Sequence, residues 1–415
     1  MASPNRIVEL SSTIARETAK LDSFFTENGL PTPSLEADAL WTLPIPESAK
    51  DLQMSRVAIM EACTELKALV TGPKTLLRSD WTAYSSVKTI IRFNLDKSFP
   101  IGESTSFEAM SSFSGLSVSN IQRIVRHAII NHNLFLEKTP GVITHSILTA
   151  ITASDEMARA ALLVELDEFW PAATKLADAL QKWPNSEENT ETGFNLAHNT
   201  DKSMYETFAE DPARAENFGK YFFADIDPPN LLPDNYPWKG DETVVDVGGS
   251  HGSMSISLAK RFPNMKCIVQ DLKVHVEEGA ARLPAELKDR VTFMPHNFFN
   301  KQTVVGDVYY FRCIFHNWAD KYCIQILRNL IPVLKPGAKI VIHDRMMPDT
   351  AIVNKADARR TIIMDIGMLQ LLNAKERGSK EWPELFRQAD PRFKYLGARH
   401  PPDAMRWIID AEWQG

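Results

Sequence analysis

Cysteine is scarce in this chain. Only Cys63, Cys267, Cys313 and Cys323 occur among 415 residues, with no paired short spacing. That excludes a disulfide framework as the source of stability and suits reduced thiols in the cytoplasm. Long apolar runs are missing as well. No stretch reaches about 18 uncharged apolar residues, so no membrane span is expected, and the opening segment through Phe25 lacks the continuous apolar run of a signal peptide. A basic block is absent too: 46 Lys and Arg against 53 Asp and Glu leave a formal charge of −7. Nucleic acid is therefore a poor partner. His296, His316 and His343 lie near carboxylates in the chain, but no compact ligand spacing such as H-E-x-x-H links them, and no metal is expected.

What is present is a globular chain, 44% hydrophobic, long enough for two ordinary domains. The first part reads as helical. "DLQMSRVAIMEACTELKALVTG" spaces its apolar residues for a helix ending at Gly72, and a second helix starts near Ala83. A short helix, a turn at Gly115, a further helix and an extended pair around Pro140 and Gly141 then follow, which is the outline of a winged helix-turn-helix. Arg123, Arg126 and His127 give its second helix little positive charge, so packing and dimerisation are the expected uses rather than DNA reading. Helical pattern continues to the polar stretch "QKWPNSEENTETG", where a boundary is placed: residues 1–180 as a helical, winged-helix domain and 190–415 as a second domain.

From about residue 240 strands and helices alternate. "TVVDVG", "KCIVQD", "RVTFM", "DVYYFR" and "AKIVIHD", with helical stretches between, predict a parallel sheet covered by helices, and "RFKYLG" and "MRWIIDAEW" could complete its edge. The fold class is therefore α/β and Rossmann-like.

Gly248 and Gly249 in "VVDVGGSHG" permit a tight strand-to-helix turn, a place where backbone donors meet polar ligand groups. Alone the turn is weak, since a bare strand-to-helix junction looks the same. Asp271, at the end of "CIVQD", stands where a doubly wound fold puts a carboxylate for ribose hydroxyls; the plain alternative is a helix N-cap. Asp246, two residues before the glycines, would organise the turn or take a ligand ammonium. A nicotinamide dinucleotide would favour G-x-G-x-x-G, whereas S-adenosyl-L-methionine, with an amino-acid tail and no phosphate, suits carboxylates at both ends.

"YYFRCIFHNWAD" places His316 at the carboxyl edge of the sheet, with Arg312 one turn earlier and Asn317 and Trp318 beside it. Asp344 ends "AKIVIHD" at the same edge, and Glu376 lies in "NAKERGSKEW". A carboxylate on one imidazole nitrogen would fix the tautomer and leave the other nitrogen as a base. The plain alternatives are a structural histidine, a helix-capping Asp344, and a surface Glu376 paired with Lys375 or Lys380. Met364 and Met368, four apart on one helical face, together with Phe315, could grip a flat aromatic substrate, or could simply fill the core.

Taken together, "NLAHNTDKSMYETF", "VVDVGGSHG", "CIVQDL", "RVTFMPHNFF", "FRCIFHNWAD", "LKPGAKIVIHD" and "LLNAKERGSKEW" resemble, in order, the S-adenosyl-L-methionine-dependent O-methyltransferases that act on small aromatic hydroxyls. Plant phenylpropanoid and flavonoid enzymes and fungal polyketide enzymes belong there. The resemblance implies a class I methyltransferase domain behind a winged-helix dimerisation domain, a homodimer, and methylation of a phenolic or enolic hydroxyl of a secondary metabolite. It also implies His316 as catalytic base flanked by Asp344 and Glu376. Gly248, Asp271, Leu272 and Arg312 would fall at cofactor positions, with Asn297 and Phe298 near the adenine. Two departures stand out: Ser250 where glycine is usual, and Asn297 where aspartate is usual. Some fungal relatives of this kind keep the cofactor but catalyse dehydration or pericyclic closure without methyl transfer; His132 could enter such a pocket, whereas the retained His316 argues for methyl transfer.

Overall fold

Apolar stretches at Val244–Val245 and Ile340–Ile342 demand cover on both sides, and the computed structural model supplies it. It describes residues 5–415 except 47, 79–80, 225–230, 349–354 and 403. The chain forms two compact units, Met1–Glu168 with Pro212–Ala224, and Phe169–Asp211 with Asp225–Gly415. The polar stretch 183–191, where the sequence places a boundary, lies inside the second unit, and a short helical segment returns to the first.

In the first unit, helices Arg6–Glu27 and Lys50–Thr71 pack against each other and are joined by Arg6 on Glu65 and by Ser55 Oγ donating to Glu17 at 2.8 Å. The winged outline is present: helix Phe107–Ser114, a left-handed Gly115, helix Val118–His132, and the hairpin Leu136–Thr139 with Val142–Thr144, to which Ser104–Thr105 adds a third strand. Ser106 and Ser117 cap the two helices, and Met110, Ile121, Val125 and Phe135 fill the core beneath them. The cationic groups of the second helix are largely used locally. Arg126 makes a two-pronged pair with Glu137, and His127 sits between Thr82 and Ser86.

The second unit is built on a seven-stranded sheet. In chain order its strands are β1 (Thr243–Val247), β2 (Lys266–Asp271), β3 (Val291–Pro295), β4 (Val308–Arg312), β5 (Lys339–Asp344), β6 (Phe393–Arg399) and β7 (Trp407–Trp413). They lie in the order β6-β7-β5-β4-β1-β2-β3, with β7 pairing antiparallel to both β5 and β6 and the other six strands running in one direction. β6 takes the edge and β7 inserts beside β5. Side chains alternate along β4: Tyr309 and Phe311 join Ile340, Ile342 and Trp382 on one face, while Val308 and Tyr310 join Leu258, Val341 and Ile408 on the other. The strand order reverses between β1 and β4, and ligands of such sheets collect at the carboxyl ends of the strands around that point. Among the described residues no helix is long and apolar enough to cross a membrane.

Candidate active site

The turn after β1 is dictated by what lies below it. Asp246 is buried, accepts a hydrogen bond from Ser255 Oγ at 2.7 Å, and is pushed up to about 6 by burial. Its carboxylate is so close that a Cβ on Gly249 would fall 2.6 Å from Asp246 Cγ. The side chain is thus seated under the turn, where it suits the organising role. Ser250 has φ +49, a left-handed conformation that favours glycine. Its N–H donates to Asp271 Oδ2 at 2.8 Å, and Leu272 N–H donates to Oδ1 at 2.7 Å. Asp271 therefore ties the end of β2 to the glycine turn, keeping lone pairs for a further donor. Leu272 is exposed beside it.

Arg312 ends β4, where its charge is felt by Asp246. Its Nε and Nη2 are buried and have no partner among the described residues. Phe298 approaches the same turn, with Cε1 3.9 Å from where a Gly248 Cβ would lie, and stacks edge-on with Phe299 and Trp318. Asn297 is exposed, and its Oδ1 is spent on Phe299 N–H at 2.9 Å.

His316 follows β4 in the short turn Phe315–Asn317. Its main-chain N–H donates to Asp344 Oδ2 at 3.1 Å, and Nδ1 lies 3.0 Å from Glu376 Oε1. The two carboxylates arrive from different segments. Asp344 ends β5, and just beyond it Met346–Met347 pairs in parallel with Arg377–Gly378, carrying Glu376 to the histidine. Glu376 is itself held by its N–H on Asp365 Oδ1 at 2.9 Å. It is 2% exposed, which removes the surface reading with Lys375 or Lys380. Burial pulls the imidazole down, but Glu376 and then Asp344 outweigh it and hold His316 above the ordinary histidine value. Burial likewise raises Asp344. Asp344 Oδ1 and Glu376 Oε2 are buried with no partner among the described residues.

Other expected site residues are placed elsewhere. Phe315 is fully buried in the sheet core, 5.2 Å from Phe311 and 6.0 Å from Trp382 between ring centroids, so it packs the fold and does not grip substrate. Asn317 turns its amide back to Cys313 O at 2.8 Å and braces the histidine turn. Met368 is buried, and Met364, one turn earlier, is half-buried on the same helix. His132 belongs to the first unit, where its ring stacks with Tyr84.

Asp365, Cys313 and Arg406 carry no local sequence signal for this site. Ligating atoms of Cys313, His316 and Asp344 come within 4.8 Å of one another, but Arg406 Nε donates to Cys313 Sγ at 3.0 Å. A guanidinium on the sulfur works against a cation there.

A family model described as an O-methyltransferase domain matches residues 175–391. O-methyltransferase AMT9 of Alternaria alternata is 34% identical over 420 residues, covering 99% of this chain and 98% of that protein. The grayanic acid biosynthesis cluster O-methyltransferase of Cladonia grayi is 36% identical over 418 residues, covering 99% and 88%. Among solved structures, the crystal structure of OxaC matches with a TM-score of 0.79 at 20% identity, covering 98% of this chain and 99% of that one.

Proposed function

Because this chain belongs to the O-methyltransferase family, we propose that it methylates a phenolic or enolic hydroxyl of a small aromatic or polyketide-derived secondary metabolite, with His316 as general base and S-adenosyl-L-methionine as methyl donor. The observation that carries the base assignment is the 3.0 Å contact between His316 Nδ1 and a buried Glu376. It keeps a proton on Nδ1 and reserves Nε2 as the acceptor.

The residues fit the cofactor. The two unpartnered nitrogens of Arg312 offer donors at the sheet's switch point, the Gly248–Gly249 turn brings side-chain-free backbone to the same edge with its own N–H groups on Gln270 O, and Asp271 keeps lone pairs beside it. Asp246 below the turn, Leu272, Asn297 and Phe298 would complete that pocket. When bound, S-adenosyl-L-methionine supplies an electrophilic methyl on a sulfonium. The chain's own work is proton handling and alignment. A phenol of pKa about 10 gives up its proton to an imidazole only as attack proceeds or in a field that favours phenolate. The imidazolium formed at His316 is held by Glu376 and Asp344, and holding the acceptor oxygen in line is worth several kcal/mol. Half-buried Met364 would meet an aromatic ring in this reading.

A homodimer through the first unit belongs to the same reading. Trp81, Leu77, Trp41 and Met54 each leave apolar surface in solvent there, surface that a second copy could cover. Light scattering of the purified protein reads the assembly, and a monomer at micromolar concentration would count against it.

Incubation with methyl-labelled cofactor and a panel of phenolic polyketides tests the activity. Label appearing in an O-methyl product supports it. A rearranged or dehydrated product without label would replace it with the non-methylating reaction.

A further inference from the structure

Arg377 is 1% exposed, and its guanidinium is aimed at the turn that carries His316. Nη1 donates to Phe315 O at 2.8 Å and Nη2 to Trp318 O at 2.8 Å, so one planar group spans the carbonyls on either side of His316–Asn317. Nε donates to Asp320 Oδ1 at 2.9 Å, and the ring of Trp382 lies 5.7 Å from Cζ. Burying a guanidinium is costly unless its N–H groups are paired. Here both terminal nitrogens are paired with this one turn, and the remaining contacts go to Asp320 and, from Nη2 at 3.2 Å, to Cys323 Sγ. The preceding residue, Glu376, holds the imidazole, and the ladder register Arg377↔Met346 pins both residues next to the end of β5.

We propose that Arg377 is a positioning residue for His316: by gripping the carbonyls of Phe315 and Trp318 it fixes the main chain of the turn, so that Nδ1 stays on Glu376 and Nε2 keeps its direction. Glu376 and Arg377 then form one clamp, the first on the side chain and the second on the backbone. A lysine in this place keeps the charge but cannot bridge two carbonyls with fixed geometry. The inference rests on the base role proposed above, yet it can be read without turnover.

The experiment compares Arg377→Lys with wild type by NMR titration of the His316 ring, assigned through a His316→Asn variant, and by steady-state methyl transfer. The groups facing His316 are Glu376, Asp344, Arg406 and Cys313, and the substitution leaves all four in place. A slackened turn loosens the Glu376 contact, so the His316 pKa is expected to fall toward or below its ordinary value. With it kcat drops about 10- to 100-fold, while KM for cofactor stays within about twofold. An unchanged titration together with kcat per folded protein within about twofold of wild type overturns the proposal. If Arg377→Lys does not fold, Asp320→Asn removes the part-exposed carboxylate that aligns the guanidinium, and a smaller shift in the same direction is expected; no shift overturns the proposal. Absence of methyl transfer by wild type would sink the methyltransferase reading alone, because the His316 titration still reports on the clamp.

Discussion

Glu376 Oε1 stands 3.0 Å from His316 Nδ1, and the glutamate of the pair is closed to solvent. A buried carboxylate on one ring nitrogen does two things at once. It selects the tautomer with its free lone pair on Nε2, and it stabilises the imidazolium that proton abstraction creates.

Glu376→Gln tests both effects. An amide oxygen still accepts from Nδ1 but carries no charge, so burial is opposed only by Asp344 and the His316 pKa falls. Because the base must be neutral to act, the acid limb of the kcat/KM profile is expected to move to lower pH. The plateau should drop by about 10- to 100-fold as the imidazolium loses its partner. A pH–rate profile with the wild-type acid limb would argue against the pair.

Asp246 predicts a pH-dependent stability of opposite sense to an ordinary salt-bridged aspartate. Its folded value is raised by burial to about 6, so the folded state holds the proton more tightly than the unfolded one. That contribution is complete below the unfolded value and is lost as pH rises through about 6. The ionised form at neutral pH therefore costs about 3 kcal/mol relative to the protonated form. Asp246→Asn, which can still accept from Ser255, should gain in melting temperature over wild type between pH 4 and 7 and show little difference below that range. Equal melting curves at every pH would contradict the burial account.

The glycine turn separates two substitutions one residue apart. Gly249→Ala places a methyl 2.6 to 2.8 Å from the Asp246 carboxylate, which must shift. A loss of about 2 kcal/mol or more is expected, with weaker binding of the demethylated cofactor by calorimetry. Ser250→Gly relieves a left-handed serine and retains the N–H bond to Asp271, so it should be neutral or stabilising by up to about 1 kcal/mol. The reverse order of stabilities would show that the turn is not held as described.

Much of this was legible in the chain because the informative residues end apolar strands. Asp271, Arg312 and Asp344 close β2, β4 and β5, and carboxyl ends of parallel strands share one edge. The alternation near 240–345 and the winged outline before it follow from side-chain period and turn residues alone. What local pattern could not carry is which way a side chain faces inside a short turn. Phe315 and His316 are neighbours, yet one packs under the sheet and the other stands at its edge. Arg377 carries no local pattern that marks it as buried, yet beside the pairing of Met346–Met347 with Arg377–Gly378 it is closed to solvent. The polar stretch 183–191 has the composition of a linker, but Asn373 donates to Glu188 O and Glu191 O and draws it into the second unit.

The most direct measurement is the rate of labelled methyl transfer by His316→Ala beside wild type, with cofactor binding of each determined by calorimetry. The account predicts unchanged cofactor affinity and a rate reduced by about 10²- to 10⁴-fold, the usual worth of a positioned general base. A variant that binds cofactor normally and methylates as fast as wild type would contradict it.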